Sequence, residues 1–184
     1  MLRKEITRAE IEDRLVKSGD FVKIDFLAGC LKANLDFDTK KFVLVTLSKL
    51  YEARKMFLEA AKMMKASADI NTTFKGKIDD FIKSADLYIK GGEFDEADAS
   101  FNKATALAKT QEKVGIKNIR KEYYKMQAKI YLQNDKRANA LKLYEKILSF
   151  DLDVLERKEA QKILLDLYQK LGKIREYYAL QRAM

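Results

Sequence analysis

A chain of 184 residues with 47% hydrophobic and 35% charged side chains has enough apolar length for an ordinary core and too little polarity for disorder. It contains no proline and no histidine, seven glycines and one cysteine; this leaves little to interrupt helix, rules out an internal disulfide and thiolate metal clusters, and removes the commonest general base. Thirty-seven Lys and Arg against twenty-eight Asp and Glu give a formal charge of +9, which favours acidic partners such as nucleic acid, acidic lipid surfaces or acidic peptides.

Met1 to Thr7 is charged and lacks an apolar leader core, and no window approaches the length of a transmembrane helix, so a soluble cytoplasmic protein is expected. Thr7 and Glu10 form a capping box that opens a short helix ending near Ser18-Gly19, after which Asp20 is the candidate cap of a helix over 20–33. Cys30 lies there among Phe26, Leu27, Ala28 and Leu31 and reads as a buried, reduced thiol. With Asp38 or Thr39 as cap, no breaker appears up to about Ala66, and the spacing predicts one long helix or two joined by an unsignalled bend.

Asn71-Thr72-Thr73 marks the next N-terminus, and Gly91-Gly92 the tight turn that ends that helix. A partner helix is expected from Asp95 past Ala108 toward Gly115, followed by one containing Ile119, Tyr123, Met126 and Ile130 and closed by Asn134-Asp135. Stretches over about 137–149 and 154–171 and a terminal helix after Gly172 complete an all-α chain of about eight or nine helices.

Residues 81–104 carry a distinctive order: Phe81, Ala85, Tyr88, Gly92, Phe94, Ala97, Phe101 and Ala104. These intervals keep bulky and small apolar residues on one side of a helix, break at the glycines and resume on a second helix. Tyr124, Ala128, Tyr131, Asp135, Arg137, Ala140, Tyr144 and Ile147 reuse the spacing, with Arg137 and Ile147 departing in type, and Tyr168, Gly172 and Ile174 form a decayed third copy. A hairpin of this kind cannot bury its apolar face unaided, so stacked neighbours are implied.

These residues resemble the tetratricopeptide repeat, and Gly92-Glu93-Phe94-Asp95-Glu96-Ala97 is similar to its turn and the start of its second helix. The resemblance implies an antiparallel helix-hairpin solenoid in one all-helical domain over 1–184. Repeats would occupy 76–184 and marginally matching helices 1–75, where only Ala53, Phe57 and Ala60 fit, as one second-helix signature. The two better copies are 43 residues apart, from Ala85 to Ala128, against an ordinary period of about 34. Longer helices of that sort look more like the related folds of vesicle-fusion adaptors of the SNAP type.

Residues 111–150 carry ten basic and four acidic side chains, so most of the charge excess is local. Lys113, Lys117, Lys121, Lys125 and Lys129 recur every four residues, joined by Arg120, and wind along the side of the helix away from Ile119, Tyr123, Met126 and Ile130. Aligned on the family, Lys125 and Lys129 match groove-lining positions, and the resemblance implies an acidic segment or a C-terminal carboxylate as ligand. Ile82 and Asp86 fill the same positions one repeat earlier, so the family's carboxylate clamp is not reproduced.

The expectation is a non-enzymatic adaptor that binds a protein or peptide segment through Lys117, Arg120, Lys121, Lys125 and Lys129, with charge reversal of Lys121, Lys125 and Lys129 weakening an acidic partner and sparing helix content. Two alternatives stand beside it. RNA binding would use the same basic stripe plus Lys136, Arg137, Lys142 and Lys146, with Tyr123, Tyr124 and Tyr131 for stacking, and self-association would cover Phe42-Val43-Leu44-Val45 or Tyr177-Tyr178. Catalysis has no motif behind it: no glycine-rich phosphate loop or GxSxG occurs, and no cofactor or metal is implied. Asp79-Asp80, Glu93-Asp95-Glu96 and Glu156-Glu159 are read as carboxylates that favour helix N-termini.

Overall fold

The computed structural model describes residues 6–184, and the Met1–Glu5 part of the charged start lies outside the described residues. Among the described residues there are ten helices and no strand. They are α1 Arg8–Val16, α2 Asp20–Cys30, α3 Phe37–Ala53, α4 Phe57–Ile70, α5 Phe74–Gly91, α6 Phe94–Leu107, α7 Thr110–Gln133, α8 Arg137–Ile147, α9 Val154–Lys170 and α10 Ile174–Ala183. None is long and apolar enough to cross a membrane. The chain is all-α, with a helix count slightly above the eight or nine expected.

Side-chain capping fixes four of the ten starts. The Thr7–Glu10 box opens α1, Asp36 accepts from the backbone of Thr39 at α3, Thr73 caps α5, and Asp153 with Glu156 forms a second full capping box at α9. Asp20 is the first residue of α2 rather than its cap, a position held by Gly19, and α2 ends at Cys30, short of the expected 33. Gly115 lies inside α7; the break before that helix comes at Ala108, whose backbone is extended, and Glu112 then accepts a hydrogen bond from the Lys109 N–H.

The stretch expected as one helix or two bent halves is a full hairpin. Lys55 takes a left-handed conformation at φ 59°, as do Gly92 (87°), Asp135 (54°) and Gly172 (68°). After each comes a residue of nearly constant backbone: Met56 at −84°/66°, Glu93 at −93°/79°, Lys136 at −83°/61° and Lys173 at −84°/68°. Each of those N–H groups donates five residues back to a tyrosine carbonyl, that of Tyr51, Tyr88, Tyr131 or Tyr168, at 2.8–2.9 Å. This is one Schellman-type turn used four times. Lys55 and Asp135 adopt it without glycine because the two closing hydrogen bonds outweigh a modest left-handed penalty.

The described residues divide within α7 into two compact units, one ending at Ile116 and the other running Lys117–Met184. In the first, Ile11, Leu27, Cys30, Val43 and Leu47 form one buried cluster, and α3, α4, α5 and α6 pack consecutively. Small residues set their close approach: Ser48 donates to the Ala60 carbonyl and Ser84 to that of Ala61, both at 2.9 Å. Phe81, Ala85, Tyr88, Ala97, Phe101 and Ala104 are buried, Phe94 is half-buried and Gly92 lies exposed in the turn. Cys30 is buried, and burial pushes its thiol above the ordinary value.

In the second unit α8 packs on α9 and α9 on α10. Tyr124, Ala128, Tyr131, Ala140 and Tyr144 are buried, and Phe150 meets Tyr124 edge-on with ring centres 5.3 Å apart. Tyr168 donates to Glu145 at 2.9 Å; burial, then that carboxylate, raises its phenol to about 12. Two readings are corrected here. Ala53 ends α3 and is exposed, so it belongs to no second helix, and Val43 and Leu44 are buried, which removes the centre of the Phe42–Val45 segment from any exposed face.

Candidate functional site: the basic face of α7

The buried face of α7 within the second unit runs through Tyr124, Gln127, Ala128 and Tyr131, whereas Met126 is 55% and Ile130 38% exposed. The sequence-based face through Ile119, Tyr123, Met126 and Ile130 is therefore a flank. Repeat register decides this: Tyr131 must present its carbonyl to the turn, and Tyr124 and Ala128 then fall in the slots of Phe81 and Ala85.

That register turns the lysine row toward α9 at its centre. Lys121 donates to Glu156 Oε2 at 2.8 Å and Lys125 to Glu156 Oε1 at 2.6 Å, while Lys125 also lies 3.5 Å from Glu122. The side chains of Lys121, Lys125 and Glu156 are only 17%, 23% and 18% exposed. Glu156 is the N3 residue of the α9 capping box and also accepts from the Asp153 N–H at 3.0 Å. Hydrogen bonds from Lys121 and then Lys125 pull its carboxyl down from 4.5 to about 2. Burial works against the charge of Lys125, yet the bond to Glu156 and the nearby Glu122 carboxylate hold its ammonium above the ordinary value.

Lys117 and Lys129 behave differently. Both are exposed, with no ion pair among the described residues. Arg120 is half-buried, its guanidinium 5.0 Å from the centre of the Phe150 ring. The five candidate residues thus fall into two groups: Lys121, Lys125 and Arg120 grip the Phe150-to-Glu156 segment, and Lys117 and Lys129 face solvent. The tyrosines proposed for base stacking divide similarly. Tyr124 and Tyr131 are buried and Tyr123 half-buried, so no row of exposed rings accompanies the basic residues.

The corresponding face of the first unit is also occupied by its own charges. Glu52 on α3 accepts from Lys83 at 2.8 Å and Lys90 at 3.2 Å on α5, and Lys90 lies 2.8 Å from Asp86. Burial opposes the Glu52 charge, but the two lysines lower its carboxyl overall. Asp86, which the sequence places in a groove position, is 16% exposed and belongs to this network.

Sequence reasoning missed Glu156 as the centre of the cluster, and a signal for it exists. Arg120-Lys121-Glu122 with Lys125 and Tyr131 recurs 37 residues later as Arg157-Lys158-Glu159 with Lys162 and Tyr168. Lys121 and Lys125, unlike Lys117 and Lys129, thus belong to a repeated motif, and their partner is the start of α9.

No family model matches the chain, and a search of curated proteins returns no match. Among solved structures it is similar to the crystal structure of BtubC (BKLC) from P. vanneervenii, with 13% identity and a TM-score of 0.40 over 93% of this chain and 74% of that one. A likeness at that level assigns neither family nor function.

Proposed function

We propose that the chain is a non-enzymatic, tetratricopeptide-like adaptor that binds a protein or peptide segment of acidic character. The observation that carries this reading is the single turn used at Tyr51, Tyr88, Tyr131 and Tyr168, which makes helix hairpins the repeating unit. Repeated hairpins present similar helix faces at regular intervals, and such faces recognise other helices and extended segments. Lys117 and Lys129 are the cations of α7 open to a ligand, and Lys121, Lys125 and Arg120 form the rigid floor beside them.

Capture from native lysate by the full chain tests this. The wild type should retain a protein, and the K117E/K129E double variant should retain about tenfold less at low salt. Retention of no protein, or of labelled single-stranded RNA with a steep salt dependence in its place, contradicts the reading.

A further inference from the structure

Within the second unit, the outer face of α9 repeats the surface that α7 uses to hold Glu156, with its slots unfilled. Lys158 and Lys162 stand 37 residues after Lys121 and Lys125, the same interval that separates Tyr168 from Tyr131. Both are exposed and make no ion pair among the described residues, in contrast to the sequestered Lys121 and Lys125. Where Tyr124 and Ala128 are fully covered, Gln161 and Leu165 are half-exposed. These residues line an open groove of about 530 Å³ with Leu152, Val154, Arg157 and Met184, and Val154 is 70% and Met184 60% exposed. The combination is an apolar trough edged by three cations.

The chain itself shows what such a surface holds. On α7 the occupant is a segment with an aromatic residue, Phe150, against Tyr124 and Arg120, followed six residues later by a carboxylate in the first turn of a helix, Glu156, between the two lysines. We propose that the α9 groove is a docking site for a partner helix of the same chemistry: an apolar or aromatic residue, then an acidic first turn seated between Lys158 and Lys162. This adds a second site to the one proposed at Lys117 and Lys129, and it rests on the adaptor reading in taking a protein segment as its ligand.

The test uses the full chain and a labelled peptide of residues 148–171, which carries both Phe150 and Glu156. Saturable binding is expected, weakened about tenfold by K158E/K162E and about threefold by an E156Q peptide, and weakened by added salt. K158Q/K162Q is the milder variant and should fall between, while circular dichroism confirms that helix content is retained. Absence of binding, or equal affinity for the reversed chain, overturns the proposal. So does a dimer seen by light scattering that K158E/K162E dissociates, because a second copy would then be the occupant. In lysate, capture equal for wild type and K158E/K162E defeats this site and leaves the adaptor reading intact; a wild type that binds peptide and captures no protein defeats the adaptor reading instead.

Discussion

Glu156 shows how much one side chain can decide. It completes a capping box, satisfies two lysines and keeps its charge to a pH well below the ordinary carboxylate range. Its folded value of about 2 lies below the ordinary 4.5, so its contribution is fully present above about pH 4.5 and is lost as pH falls toward 2. Urea unfolding of wild type should therefore weaken between about pH 5 and pH 2 more steeply than that of E156Q, which should itself cost about 1–2 kcal/mol at pH 7. Parallel profiles would remove Glu156 from the account. The left-handed positions give an independent expectation. Lys55→Gly relieves strain at φ 59° and should raise stability by about 0.5–1 kcal/mol in urea unfolding, where the same change in mid-helix would lower it. A loss of stability in K55G would mean that the Lys55 side chain, not the turn, holds the hairpin.

At the level of elements, the legible features were those with local chemistry. Thr7, Thr73, Gly91-Gly92, Asn134-Asp135 and Gly172 each announce a helix end through a hydrogen bond or a positive φ that neighbouring residues share. The α3–α4 hairpin was hidden because Lys55 stands where a copy of Gly92 would have signalled it, and Tyr51 reads as an ordinary helix residue until the turns are superposed. The α6–α7 break was displaced because Gly115 is the obvious weak point, yet Ala108 leaves the helix and the Glu112 side chain closes the gap. The α7 face was misjudged because Met126 and Ile130 outweigh Gln127 in hydropathy, whereas the repeat buries Gln127 and exposes Met126. If small residues set the hairpin interfaces, Ala97→Leu and Ala140→Leu, both at fully buried sites, should each cost about 1–3 kcal/mol in denaturant unfolding. Ala138→Leu, at an exposed position of the same helix as Ala140, should change stability by less than about 0.5 kcal/mol, and a comparable loss there would argue against interface packing as the cause.

Across the molecule, the net charge of +9 proved a poor guide to where charge is available. The sequence located the basic stretch correctly along the chain but had no means of showing that Lys121 and Lys125 are held by a carboxylate more than thirty residues away, or that Glu52 and Asp86 compensate Lys83 and Lys90 in the first unit. Long-range pairing of this kind depends on the register in which hairpins stack, which the 37- and 43-residue intervals between turn tyrosines encode only once the turns are known. A comparison of two double variants by thermal unfolding tests this division of roles most directly. K121E/K125E should lower the melting temperature by about 5–10 °C, while K117E/K129E should leave it within about 2 °C of wild type. Equal shifts in the two variants would contradict the assignment of Lys121 and Lys125 to the fold and the exposure of Lys117 and Lys129 outside it.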